Sequence, residues 1–167
     1  MGSIYLHPTV AADFEDYYTV RSDPGDVYWN GYASAPEKES FRRGFLVRTA
    51  GARFEVPEDR RNYLIKETRT NDTAGFIQLI RRESAVEVGY SVMEEYQRRG
   101  YASEALRQAV ALASEFGLPI IVRIRDDNIA SQSVAGKNGF CATAEYVEKD
   151  YYGAGTVKLR TYVLKQG

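Results

Sequence analysis

The run Gln97-Arg98-Arg99-Gly100-Tyr101-Ala102-Ser103 joins a strand-like alternation to an amphipathic helical stripe. That junction has what a diphosphate needs. The first turn of a helix offers unpaired N–H groups and roughly half a positive charge. Gly100 lets backbone approach an anion closely, Ala102 adds little bulk, and Arg98 and Arg99 can supply charge. A surface loop with two solvated arginines is the other reading of the same residues. The pattern G-x-x-x-x-G-K-[ST] is absent, and Gly153-Ala154-Gly155 reads as hairpin turn chemistry rather than a dinucleotide fingerprint.

The elements that must position this loop follow from periodicity. Val86, Val88, Tyr90 and Val92 share one face of a strand, and Glu87, Gly89, Ser91 and Met93 the other. Tyr101–Phe116 carries one apolar helical stripe, stopped by Gly117 and Pro119. Ile120–Ile124 is a β-branched run expected of a strand covered on both faces. Strand, helix and strand form a right-handed β-α-β unit, which places ligands beyond the strands' carboxyl ends.

Around that unit, Ile4–Leu6 reads as a strand and Thr9–Arg21 as helical, followed by a turn cluster at Ser22–Asp26. Val27–Ala35 is aromatic and irregular, and a helix runs from Glu37 to Thr49. Arg61–Lys66 and Gly75–Arg81 read as a hairpin turning at Asn71-Asp72-Thr73. A second helix starts at the N-cap residue Asn128 and ends at Gly139. Phe140–Glu148 and Val157–Leu164 are closing strands around a turn at Tyr152–Gly155. The order predicts an α/β domain with a mixed sheet, and no boundary divides residues 1–167.

Counting excludes other chemistry. One cysteine, Cys141, forbids an intrachain disulfide and fits a reducing compartment. With one histidine, His7, zinc sites built from Cys and His clusters cannot form, and no metal is expected. Net charge is −1, from 22 basic and 23 acidic residues, so no global field draws the chain to nucleic acid or an anionic membrane. No apolar run approaches the ~20 residues that span a bilayer, and a cytoplasmic location is expected. Arginine outnumbers lysine 16 to 6.

Gln97-Arg98-Arg99-Gly100-Tyr101-Ala102 resembles the Q/R-x-x-G-x-G/A acyl-CoA motif of the GNAT N-acetyltransferase superfamily. Val86–Val92 resembles the strand before that motif. Asp127-Asn128-Ile129-Ala130-Ser131, followed by Lys137-Asn138-Gly139-Phe140, resembles the second cofactor element. The subgroup most resembled is the ribosomal-protein alanine acetyltransferase (RimJ/RimL) type. The resemblance implies a twisted, mostly antiparallel sheet whose two central parallel strands splay apart to admit the pantetheine arm of acetyl-CoA. It implies cofactor contacts from Ser91, Val92, Gln97, Arg98, Arg99, Gly100, Tyr101, Ala102, Ser103, Asn128 and Ser131. It leaves a homodimer open.

The activity implied is direct transfer of an acetyl group to a primary amine, either a protein N-terminus or a small amine. Neutralising a lysine side chain at pH 7 costs roughly 4.6 kcal/mol and an α-amine only about 1, which favours an N-terminus where no strong base is present. Glu87 is the candidate base, through a water, although its face also suits a solvated outward glutamate. Ser131 is a candidate proton donor to the departing thiolate, or simply the N3 residue beneath the Asn128 cap. The Val92 N–H would stabilise the oxyanion, a contribution of about 3–4 kcal/mol for comparable donors. Two departures stand out: Ala135 occupies the place of the usual general-acid tyrosine, with Tyr146 a weaker substitute, and Glu94 replaces a usual proline. The missing tyrosine supports an alternative, a catalytically silent acyl-CoA sensor module. The acceptor pocket is expected from Tyr28, Trp29, Asn30 and Tyr32, with Tyr151 and Tyr152 opposite.

Overall fold

Seven strands form one sheet in the order β1-β2-β3-β4-β5-β7-β6. The computed structural model describes residues 2–50 and 53–165. The strands are β1 (Ile4–Pro8), β2 (Arg60–Glu67), β3 (Thr73–Arg81), β4 (Val86–Val92), β5 (Ile120–Arg125), β6 (Phe140–Tyr151) and β7 (Gly155–Leu164). The helices are α1 (Phe14–Arg21), α2 (Pro24–Trp29), α3 (Lys38–Ala50), α4 (Tyr101–Ala113) and α5 (Ile129–Lys137). Every strand pair is antiparallel except β4 with β5. The mixed, mostly antiparallel sheet with one parallel pair is therefore as expected.

The alternation of β4 sets the two sides of the molecule. Val86 and Val88 are buried in a core that also takes Ala105, Leu106, Ala109 and Ala113 of α4. Alanines recurring every four residues leave α4 little side chain between its axis and the sheet, so the helix lies close. On the opposite face Phe14, Tyr17 and Val20 of α1 pack with Phe45 of α3 and with Leu64 and Phe76 of the sheet. Each fully buried side chain of this size contributes about 1.5–3 kcal/mol.

Three boundaries differ from expectation. The first helix begins at Phe14, not Thr9. His7 and Pro8 stay in register with Leu64 and Tyr63, and the Asp13 carboxylate takes the Val10 N–H at 2.7 Å and the His7 ring at 3.0 Å. The cluster at Ser22–Asp26 starts α2: Pro24 sits in its first turn and Asp23 caps it, accepting from the Gly25 N–H at 3.2 Å. The last hairpin strand runs on to Tyr151. Cys141 is half-buried.

α2 is anchored by a buried ion pair. Arg21 Nε donates to Asp26 Oδ2 at 3.0 Å, with 10% and 0% of the two side chains exposed, and the guanidinium lies 4.6 Å from the centre of the Phe76 ring. Burial pushes the Asp26 carboxyl up, against the opposing pull of Arg21. Asp26→Ala leaves the Arg21 charge without its partner in the interior. The expected loss is about 3–5 kcal/mol, read as a lowered urea midpoint.

Candidate active site

β4 and β5 share only two register pairs, Val86 with Ile120 and Glu87 with Ile121. Beyond them the strands part. β4 stays paired with β3 up to Val92, and β5 with β7 up to Arg125, so the backbone facing the gap belongs to no ladder. N–H direction alternates along a strand. The Met93 N–H bonds the Ala74 carbonyl of β3 at 2.9 Å. The Ser91 carbonyl also points at β3, where a Cβ on Gly75 would stand 2.1 Å from it. Tyr90 and Val92 therefore present their backbone groups to the gap. The Gln97 side chain donates to the Val92 carbonyl at 3.1 Å, leaving the Val92 N–H available. Of the two strand residues expected to pair with a ligand, Val92 faces the gap and Ser91 is turned toward β3.

A cleft of about 570 Å³ runs through this gap, lined on the helix side by Tyr90, Asn128 and Ser131 and on the other by Glu87, Arg123 and Trp29. The Ser131 N–H is accepted by the Asn128 side chain at 3.1 Å, so the capping reading is correct. The Ser131 hydroxyl is bonded to the Tyr90 phenol at 2.9 Å, and the phenol also lies 3.3 Å from the Ser131 carbonyl. Burial pushes the Tyr90 phenol up to about 12, so it holds its proton throughout the neutral range. Tyr90 is the residue that sequence reasoning missed: its place on the apolar face disguised a polar tip. Ala135, where the usual tyrosine is absent, is fully buried. The Tyr146 hydroxyl donates to Asp126 at 3.0 Å and does not line the cleft.

Glu87 also reaches the cleft. Its Oε2 accepts from Arg82 Nε at 2.7 Å and from Arg123 Nη1 at 2.9 Å. Among the described residues Oε1 has no hydrogen-bond partner, and the side chain is 12% exposed. The carboxylate is therefore neither a solvated outward residue nor a free one.

A second groove, about 1160 Å³, opens at the start of α4 and is lined by Gly100, Ser103, Arg69, Arg107, Lys137 and Asn138 among others. Gly100 stands at φ +78° and no side chain caps the helix, so the N–H groups of its first turn stay available. Arg98 shares the left-handed conformation at φ 65°, and such turns gather successive N–H groups into an anion-binding concavity. The Cβ direction at Gly100 meets nothing within 4 Å, so the approach is open. Asn138, just past the end of α5, donates to the Ser103 hydroxyl at 3.1 Å and ties that end to the start of α4. Arg99 is spent on the protein itself: it bonds the Glu95 carbonyl at 3.1 Å and lies 3.7 Å from Glu67. The Tyr101 hydroxyl is likewise bonded to Glu67 at 2.6 Å, so only its backbone serves the groove. Half-buried Ala102 follows it in the first turn, keeping that turn lean. The basic residues beside the groove are Arg69, Arg107 and Lys137, scattered in sequence and gathered by the fold.

The acceptor side is built by α2 and the closing hairpin. Trp29, Asn30, Tyr32 and Tyr151 line the cleft, whereas Tyr28 and Tyr152, 56% and 75% exposed, do not. The Tyr151 hydroxyl donates to the Trp29 carbonyl at 2.5 Å. Gly31, at φ +77°, lies so close to the Tyr151 ring that a Cβ would stand 2.5 Å from it.

A parted parallel pair, an uncapped helix start at a left-handed glycine and a cleft joining the two faces define an acyl-CoA-binding α/β transferase. Residues 3–141 match the family described as the acetyltransferase (GNAT) domain. The chain belongs to that family of acetyl-CoA-dependent N-acetyltransferases. No curated protein matches it in sequence. Among solved structures it resembles a spermidine N-acetyltransferase from Vibrio cholerae in complex with CoA and spermine, with 13% identity, coverage of 97% and 95% of the two chains, and a TM-score of 0.78. A GNAT-family acetyltransferase from Bacillus anthracis gives 21% identity, 98% and 95% coverage, and 0.77. The ribosomal L7/L12 α-N-protein acetyltransferase RimL, in complex with coenzyme A, gives 18%, 98% and 94%, and 0.76. At these identities the likeness is one of fold. Among the described residues no helix is long and apolar enough to cross a membrane.

The groove at Gly100 fits the coenzyme's diphosphate, and its glycine is required by conformation. Gly100→Val places a β-branched residue at φ +78° and a side chain in the anion's approach. Acetyl-CoA affinity should fall at least about a hundredfold by calorimetry. Wild type should gain about 2.7 kcal/mol of stability with the coenzyme at 100 times its Kd, and the variant almost none.

Proposed function

We propose that this chain transfers the acetyl group of acetyl-CoA directly to a primary amine, a protein N-terminus or a small amine, without a covalent enzyme intermediate. The observation that carries the reading is the Tyr90–Ser131 hydroxyl pair, 2.9 Å apart at the edge of the parted strands. Acetyl-CoA supplies, when bound, a thioester whose carbonyl carbon takes the amine nitrogen as the C–S bond breaks and coenzyme A leaves as its thiol.

The chain's residues divide the remaining work. Gly100, Tyr101, Ala102 and Ser103 hold the diphosphate by backbone N–H groups, with Gln97, Arg98 and Arg99 shaping or charging the loop. The N–H groups of Val92 and Tyr90 face the gap and serve as oxyanion donors. Asn128 keeps its amide N–H₂ for the pantetheine arm while its oxygen caps α5. Ser131 Oγ delivers a proton to the departing sulfur and recovers it from the Tyr90 phenol, which takes one back from water. Glu87 accepts the proton of the acceptor ammonium at Oε1 through a water, its other oxygen held by Arg82 and Arg123. The phenol at Tyr90 supplies a donor where Ala135 has none, which removes the ground for a silent sensor.

The acceptors named for the structural neighbours, a ribosomal protein N-terminus and a polyamine, are both primary amines. The Asn128-x-Ala130-Ser131 arrangement supports a RimJ/RimL-like reading.

Thiol release from acetyl-CoA over a panel of amines and peptide N-termini tests the reading, and coenzyme binding without turnover on any of them would refute it. Ser131→Ala keeps the N–H that Asn128 accepts, so the helix start survives while kcat falls about 10²-fold; Tyr90→Phe behaves alike. Loss of acetyl-CoA binding instead would make the pair structural. Glu87→Gln should cost about 10²–10⁴ in turnover with coenzyme affinity retained. A pH–rate profile identical to wild type would dismiss Glu87 as the base.

A further inference from the structure

Resting on the acetyl-transfer reading above, the structure assigns the acceptor a chemical class: we infer that the amine belongs to a molecule that also bears an anionic oxygen group, a carboxylate or a phosphate, and not to a polyamine.

Six cations line the cleft, Arg21, Arg60, Arg82, Arg123, Arg125 and Lys149, against three carboxylates, Glu58, Glu87 and Glu148. Pairing then removes some of that charge. Arg21 is matched by buried Asp26, Arg82 is bonded by both Glu58 and Glu87, and Arg125 Nε is 2.8 Å from Asp127. Three cations remain incompletely neutralised. Arg123 shares Glu87 with Arg82, and its Nε is buried without a hydrogen-bond partner. Arg60 has only a 3.4 Å contact to Gln78 and a 3.9 Å approach to Glu58. Lys149 lies over the rings of Tyr32 and Tyr151, at 5.7 and 5.6 Å, with no carboxylate on it among the described residues. Glu148 is exposed.

The register puts these groups on one face. Arg60 opposes Ile80, Ile80 opposes Glu87 and Glu87 opposes Ile121, so all four share a face, and Arg123 and Arg125 follow Ile121 by the period of two. This face is the acceptor side. Glu87 lies three residues from Tyr90, about 10 Å along the strand, within reach of long side chains and an amino-acid-sized ligand. A guanidinium with a buried, unsatisfied N–H costs free energy until an acceptor arrives, and arginine's planar fork suits a carboxylate or phosphate. An acceptor carrying extra ammonium groups meets like charge instead. Trp29, Tyr32 and Tyr151 give the rest of the acceptor an aromatic wall.

The test uses acceptor pairs matched in skeleton. Glutamate is compared with its diamide, O-phosphoethanolamine with ethanolamine, and a peptide with acidic second and third residues with its lysine counterpart; spermidine completes the set. The anionic member of at least one pair should show about tenfold or greater kcat/KM, with the preference shrinking as salt is raised. The amino-acid, phosphate and peptide arms identify the source of the anion. Calorimetry with coenzyme A bound is run on the same pairs, so the inference is decided even if nothing is acetylated. Failure of turnover alone counts against the transfer reading; tighter binding of the charged member still supports the acceptor class. Arg123→Gln should cut the charge preference below about threefold while leaving coenzyme affinity unchanged. Equal or better binding of neutral amines or spermidine overturns the inference, whether or not that variant folds.

Discussion

Everything functional in this molecule depends on the failure of β4 and β5 to stay together after two register pairs. A parallel pair normally continues, because buried N–H and C=O groups left out of a ladder cost free energy. Here each strand is held on its far side, β4 by β3 and β5 by β7, so the sheet survives while its middle opens. The outcome is an internal edge with N–H groups at Tyr90 and Val92 aimed into a cleft. An extended ligand carrying amides can complete that edge as an added strand would. The alanine stripe that seats α4 close to the sheet brings the Gly100 turn to the same opening.

Basic residues gather at both ends of the opening although the chain is nearly neutral, with Glu67 and Glu104 also beside the helix-side groove. On the helix side, N–H groups and the basic residues Arg69, Arg107 and Lys137 surround the groove. On the other side, arginines crowd the floor of the cleft. A net charge of −1 speaks to the long-range field and says nothing of this local arrangement. Five of the arginines line the cleft, whereas Arg99 is absorbed into local structure by Glu67 and the Glu95 carbonyl.

What was legible in the sequence was whatever local periodicity or a local cap determines. The two faces of β4, the stripe of α4 and the Asn128 cap are properties of short windows, and they stand as expected. The start of α1 was misplaced because pairing of His7 and Pro8 with β2, a contact about 55 residues away, outweighs the helical spacing that begins at Thr9. The direction of Ser91 was illegible for the same reason: which side its carbonyl faces is fixed by Gly75 on β3. The cationic floor draws on β2, the β3–β4 turn, β5 and β6, and only the register assembles it.

Tyr90 shows how one position can satisfy the core and the chemistry together. Its ring belongs to the apolar face that packs with the helices, so a period-two reading treats it as filler. Its hydroxyl extends past that face to α5, where Ser131 supplies a hydroxyl and Asn128 fixes the backbone that carries it. Burial strips water from the phenol and raises its pKa, so it stays protonated through the neutral range and keeps its hydrogen bond to Ser131. Ala135, packed at zero exposure, has no room for a tyrosine of its own without moving its neighbours. Buried Ala135 on α5 and the Tyr90 ring from β4 thus belong to one packing arrangement.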